Sequence, residues 1–227
     1  MMTRRRFLGG GFASLLAVQY SEFFERVGNG QVGGMVLDEM SVKKAIARRR
    51  TLRNFSSRIL REDQLMGVFW AAQGITDSIR GLRAVPSAGA LYPLEIYAFL
   101  GDRAVVGMGK GIYRYRPYQP DAMIVIEEDL RQELARACLS QMWIAQAPVS
   151  LVISAVYERS MKKYGDRGIR YSVIEAGCAA QSVFFVAESL GLGVGIVGAF
   201  DDDMVRELTG AEADFHPLLV MPVGYRA

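Results

Sequence analysis

The stretch GLGVGIVGAF, Gly191 to Phe200, satisfies the spacing GxGxxG through Gly193, Gly195 and Gly198. That spacing marks a dinucleotide-binding βαβ unit only where a strand precedes it and a helix follows, because the pyrophosphate must meet a helix N-terminus. Here the order is reversed. Upstream, Tyr171 to Leu190 carries Val173, Ile174, Ala176, Ala180, Val183, Phe184 and Val186, apolar on more of its surface than a one-sided surface helix requires. Downstream, Gly193 to Ala199 reads as a strand. No βαβ unit opens the chain, so the doubly wound dinucleotide fold is excluded. The glycines mark a passage from helix to strand, with close backbone approach to a ligand still open.

Working outward, strands are predicted at Glu95 to Leu100, Gly111 to Arg116, Met123 to Glu127, Val149 to Val156 and Leu218 to Val223. Helices are predicted after the N-cap candidate Ser41, over Glu62 to Gln73, over Leu130 to Ser140 and over Asp203 to Leu208. Hairpin-like strand pairs replace strict βαβ alternation, which favours an α+β sheet with helices packed on it. With 227 residues and a hydrophobic content of 51%, the chain can bury one substantial core.

Composition narrows the chemistry. A net charge of +3 provides no general nucleic-acid coat, and the basic run KKAIARRRTLR suits the last turn of a helix through its dipole. No nucleic-acid partner is expected. Cys138 and Cys178 sit in helix-like stretches and read as free thiols. His216 is the single histidine and no serine lies in a GxSxG elbow, which excludes the common hydrolase arrangements. Asp201 to Asp203 look like a helix cap and first turn with no histidine or cysteine beside them, so no metal site is expected.

The N-terminal residues 1–27 include TRRRFLGGGFASLLAV, whose Thr3, Arg4, Arg5, Phe7 and Leu8 are ordered as in a twin-arginine export signal. An amphipathic helix with a basic tip is the other reading. Localisation is correspondingly either export by that route or cytoplasmic, and membrane contact is expected only through this segment. Residues 28–40 follow as a linker, because the four glycines of VGNGQVGG hold neither helix nor strand well. The folded domain is placed at 41–227.

Four stretches carry chemistry. RRRTLRNF, Arg48 to Phe55, sets Arg49, Thr51 and Arg53 within about one helical turn, a composition suited to a phosphate and a neighbouring carbonyl, or simply to a solvated helix end. PSAGALYP, Pro86 to Pro93, offers a backbone almost bare of side chains over Ser87, Ala88 and Gly89, so a flat ligand can approach it closely. ERSMKKYGDRGIRY, Glu158 to Tyr171, sets Lys163 beside Tyr164, a proton acceptor and a hydrogen-bond donor, or a polar lead-in to the next helix. GLGVGIVGAF is the fourth.

Taken in order, RxTxRxF, PSAGALYP, KYGxRxxRY, GLGxGxxGAF and the terminal PVGYR resemble the FMN-dependent nitroreductase family, and within it the SagB-type branch that includes azoline dehydrogenases of peptide natural products. The resemblance spans Ser41 to Arg226. It implies a nitroreductase-like fold, a central mainly antiparallel sheet flanked by helices in an intertwined homodimer, with FMN at the subunit junction. It implies that Arg49 and Thr51, with Arg50 beside them, hold the FMN phosphate and that Arg53 faces the pyrimidine edge, where a cation favours the reduced flavin. Pro86, Ser87, Ala88 and Gly89 would lie along the flavin from the partner copy, Val197 and Gly198 opposite N5, and Arg226 as a further phosphate contact. Lys163 and Tyr164 would be the catalytic pair that handles the substrate proton. The implied reaction passes hydride between a small organic substrate or NAD(P)H and an acceptor through flavin N5. A non-catalytic flavin-binding protein and an azoline-type dehydrogenase acting on a modified peptide are the alternatives.

Overall fold

Residues 40–227 and the paired segments 31–32 and 35–36 are described by the structure, a computed structural model. In chain order the elements are β1 (Gln31–Val32), β2 (Met35–Val36), α1 (Val42–Arg48), α2 (Glu62–Gln73), β3 (Ile75–Asp77), β4 (Leu82–Arg83), β5 (Leu94–Leu100), β6 (Gly111–Arg116), β7 (Asp121–Ile126), α3 (Arg131–Ala137), α4 (Trp143–Gln146), β8 (Val149–Val156), α5 (Tyr157–Tyr164), α6 (Arg167–Ser189), β9 (Gly193–Val194), α7 (Asp202–Thr209) and β10 (Phe215–Gly224). The expected export signal or N-terminal helix lies outside the described residues. Within the segment read as a linker, β1 pairs antiparallel with β2. That corrects the expectation of no strand there: Gly33-Gly34, between the two in sequence, is hairpin-turn composition.

The main sheet has six strands in the order β7-β6-β5-β8-β10-β9, and every pair is antiparallel. This is the α+β arrangement expected. β8 is buried at all of its positions because both faces are covered. Leu151 and Ile153 face one cluster with Leu65, Phe69, Val183 and Phe184 from α2 and α6, whereas Val152 and Val156 face a second with Leu134, Ile144 and Val205 from α3, α4 and α7. Period-two alternation thus divides one apolar run between two helical layers. Full burial of a side chain such as Leu151 contributes about 1.5–3 kcal/mol.

Several bounds shift for physical reasons. β10 runs from Phe215 rather than Leu218, absorbing Pro217 at a register shift between Pro217 and Leu219, where no amide is required of the ladder. The helix predicted from Tyr171 begins at Arg167, and its predecessor, read as a polar lead-in, is the separate helix α5. A tight corner joins them: Gly165 ends α5 at φ 57°, and Gly168 packs so closely that a Cβ would fall 2.6 Å from Met161 N. His216 stacks on Tyr157 at 4.4 Å between ring centroids, a packing role. Both cysteines are free, and burial pushes the Cys138 thiol up to about 12.

Candidate active site

The basic strip comes first. The expectation that Arg49 to Arg53 continue a helix is corrected: α1 stops at Arg48, and Arg49 is already extended at φ −49°, ψ 122°. Thr51 bridges Val194 in parallel, and the Leu52 amide donates to Val194 O at 2.8 Å, so the strip lies along β9 at the sheet edge. Extended backbone alternates its side chains, which puts Arg49, Thr51 and Arg53 on one side and Leu52 on the other. Leu52 covers Gly193, where a Cβ would approach Leu52 Cδ2 to 2.5 Å.

The guanidinium of Arg49 lies 5.1 Å from the Phe184 ring centroid and that of Arg53 lies 5.9 Å from that of Trp143. Neither is in an ion pair among the described residues. Both forks are therefore free for an anion. Arg50 turns back instead, donating to Ala47 O at 3.1 Å and Arg49 O at 2.7 Å. Arg226 is committed elsewhere: its guanidinium hydrogen-bonds the buried Glu188 carboxylate, which also has Arg48 Nε at 3.6 Å. The phosphate contact read for Arg226 would have to be taken from that buried carboxylate.

Beyond β9 the predicted strand does not run on to Ala199. Gly195 is wedged where a Cβ would fall 2.8 Å from Leu52 O and 2.7 Å from the Trp143 ring, and pairing resumes only as a bridge between Val197 and Val220. Val197 and Val220 exchange both amide hydrogen bonds at 2.9 Å, so the Val197 N–H is spent within the protein. Gly198 is exposed, and a Cβ there would meet nothing within 4 Å. Gly193 and Gly195 serve packing, and Gly198 alone of the motif faces open space.

The bare loop forms a second cluster with α5. Gly89 sits at φ 64° inside a short turn over Ala88–Ala90, and the Ser87 hydroxyl accepts from the Tyr92 amide at 2.9 Å. Pro86 precedes this turn and is exposed. A Cβ on Gly89 would fall 2.7 Å from Tyr164 Oη and 2.9 Å from Lys163 Nζ, so the tips of both candidate side chains converge on this glycine. Tyr171 packs edge-on against Tyr164 at 5.1 Å and fixes its ring. The structure therefore joins Lys163, Tyr164 and the Ser87–Gly89 loop within one chain.

Sequence reasoning missed the residue beneath this loop. Glu175 is buried in α6, accepting from Gln73 Nε2 at 3.2 Å and lying beside the Ser87 hydroxyl. Its signal was a lone carboxylate within an apolar run. Burial raises its pKa, outweighing the hydrogen bonds from Ser87 and Gln73 and the charge of Arg83. The folded state thus binds this proton more tightly than the unfolded chain, and stability falls as pH rises from the ordinary carboxylate range through the raised value. Glu175→Gln keeps an acceptor for Gln73 and removes the buried charge. Its melting temperature should exceed the parent's at pH 8 and lose that advantage near pH 4, by about 2–4 °C per kcal/mol recovered. An equal offset at both pH values would mean that the charge is not what burial penalises.

The two clusters lie at opposite ends of α6, the strip against Phe184 and Glu188 and the loop against Tyr171 and Glu175. The helix rises by about 20 Å from Glu175 to Glu188, thirteen positions apart, and separates them by that distance. Between them Val173, Gly177, Gln181 and Phe184, with Leu218 and Leu219, line an apolar groove of about 270 Å³.

An antiparallel sheet between two helical layers, with a free arginine strip at its edge and a lysine–tyrosine pair over a bare loop, makes up one α+β domain. The model of the Nitroreductase family matches residues 46–225, and the chain belongs to that family. Its members are generally flavin-dependent. A Methanocaldococcus jannaschii protein described as a nitroreductase is 45% identical over 188 residues, covering 83% of this chain and 92% of its own length. The microcin B17-processing protein McbC of Escherichia coli is 27% identical over 129 residues, 55% of this chain and 47% of McbC. A crystal structure described as a nitroreductase from Ralstonia eutropha superposes with a TM-score of 0.72 at 25% identity, covering 83% of this chain and 84% of the other.

Proposed function

We propose that the protein is an FMN-dependent oxidoreductase that works as a homodimer. The observation that carries this reading is the placement of two incomplete half-sites at opposite ends of one apolar helix face. If a second copy packs its α6 antiparallel on the first, with the crossing near Gly177 to Gln181, the strip of one copy meets the loop of the other. Small residues at that crossing permit close approach.

The residues fit the cofactor. Arg49 and Arg53 have forks that face no carboxylate, Thr51 lies between them on the same side of the extended strip, and Gly89 and Gly198 present backbone without side chains. Arg49 and Thr51 would hold the phosphate, and Arg53 would set a positive charge at the pyrimidine edge. Gly198, rather than Val197, keeps an amide to offer near N5. When bound, FMN supplies hydride transfer between a small organic substrate or NAD(P)H and an acceptor. Lys163 and Tyr164 would hold and move the substrate proton over Gly89.

A second reading is favoured by that last arrangement together with the partial likeness to McbC: an azoline-type dehydrogenase, in which the same pair takes a proton from a ring in a modified peptide.

The test is FMN titration followed by absorbance and by flavin fluorescence. Arg49→Ala should weaken binding about tenfold to a hundredfold, the range of a lost hydrogen bond to a charged group. Arg50→Ala, whose side chain folds back on the helix end, should change it little. Parent protein that takes up no FMN would end the proposal.

A further inference from the structure

We infer that the pocket where β5, β6 and the β6–β7 turn meet β4 and α5 binds a small aromatic carboxylate, at a place separate from the arginine strip and independent of the flavin reading. The pocket encloses about 450 Å³ and is lined by Arg83, Arg114, Arg116, Arg159, Glu95 and Tyr118, among others. That volume falls within the range of small-molecule sites, roughly 300–1,000 Å³.

Its charge is unbalanced. Glu95 alone answers two guanidinium groups, Arg114 at 3.0 Å and Arg159 at 2.5 Å. Asp121 answers Arg116. Arg83 has no carboxylate within ion-pair distance among the described residues. Four guanidinium groups against two carboxylates leave two positive charges around one cavity. Glu175, the next acid toward Arg83, spends its hydrogen bonds on Gln73 and the Ser87 hydroxyl.

Arg83 is the sharpest feature. Its Nη1 donates to Gln73 Oε1 at 2.7 Å, and its guanidinium lies 4.4 Å from the Tyr92 ring centroid and 5.6 Å from that of Tyr118, which hold the plane. Its Nε is buried without an acceptor, and Nη2 has no protein acceptor among the described residues. Nη2, which is not sealed from the cavity, is the nitrogen that meets a carboxylate there, with the unpaired Nε beside it on the same edge. A guanidinium with a buried donor left unpaired is costly to keep, and a bound carboxylate would offset part of that cost. Tyr118, 57% exposed at the turn, supplies a face for a flat apolar body.

The experiment titrates the FMN-loaded protein with benzoate and phthalate, with benzamide as the uncharged counterpart and inorganic phosphate as the non-planar anion, using calorimetry. Saturable binding of an aromatic carboxylate with Kd below about 1 mM is expected, weakened tenfold or more by Arg83→Met and left unchanged by Lys110→Met, before the far end of β6. Tyr118→Ala, at an exposed position, should weaken binding several-fold and keeps the test decisive if Arg83→Met does not fold. No saturable binding of either carboxylate, equal binding of benzamide or phosphate, or binding that shifts the flavin absorption bands and persists in both variants would overturn the inference. The last outcome would place the anion over the flavin, and parent protein without flavin bands would count against the FMN reading alone.

Discussion

Val173→Glu is expected to give a monomer that retains no FMN. Val173 is 50% exposed and Ile174 beside it 54% exposed, an unusual pair of large apolar side chains on the flank of a long helix. Val173, Gly177, Gln181 and Phe184 recur at intervals of four, four and three residues, a single stripe that runs from the loop cluster to the arginine strip. In the proposed dimer a glutamate at position 173 would bury its charge against an apolar surface, and it would do so twice because the two copies are related by symmetry. The isolated fold should tolerate it, since the side chain already faces outward. Light scattering should show the monomer mass, circular dichroism an unchanged fold, and FMN titration no uptake at concentrations that saturate the parent. Loss of the dimer with parental FMN affinity would show that one copy holds the whole site, and the half-site account would fail.

The architecture was legible because strand and helix periods differ. Gly111 to Arg116 and Val149 to Val156 are strands with the expected bounds, and Glu62 to Gln73 is a helix with its expected bounds. Rejecting the dinucleotide fold rested on element order around Gly193, and the structure gives the reason for two of the three glycines: Leu52 and Trp143 occupy the space a Cβ would need at 193 and 195. What failed was local geometry set by distant partners. Nothing within RRRTLRNF says that its backbone will leave the helix at Arg49, because the carbonyl that takes its Leu52 amide belongs to Val194. The same holds for Arg226, whose partner Glu188 is distant in sequence, and for Val197, whose amide is taken by Val220. Glu175 was visible as a residue out of place, but its neighbours Gln73 and Ser87 come from two other segments.

Lys163→Ala should leave FMN affinity within about a factor of two and lower turnover by about 10²- to 10⁴-fold, the range expected for a lost proton-transfer group. The separation of effects follows from position. Lys163 stands on α5 at the loop cluster, at the opposite end of α6 from the strip that would hold the phosphate, and its ammonium lies 5.3 Å from the Tyr164 ring centroid. Its side chain is exposed, so the truncation removes little packing. Tyr164→Phe keeps the ring against Tyr171 and removes only the hydroxyl that points at Gly89, so it should cost less than Lys163→Ala. Anaerobic reduction distinguishes a chemical role from a structural one. Dithionite and NADH or NADPH should each reduce the flavin of parent and variant at equal rates, because neither step needs a proton handled by the protein, whereas the variant should pass its electrons to a nitroaromatic acceptor, whose reduction consumes protons, far more slowly. A shifted pH profile in Tyr164→Phe, with FMN affinity unchanged, would tie the hydroxyl to the same proton. Should Lys163→Ala lose its flavin as readily as Arg49→Ala, the lysine would belong to the binding site, and the division of labour along α6 would have to be abandoned.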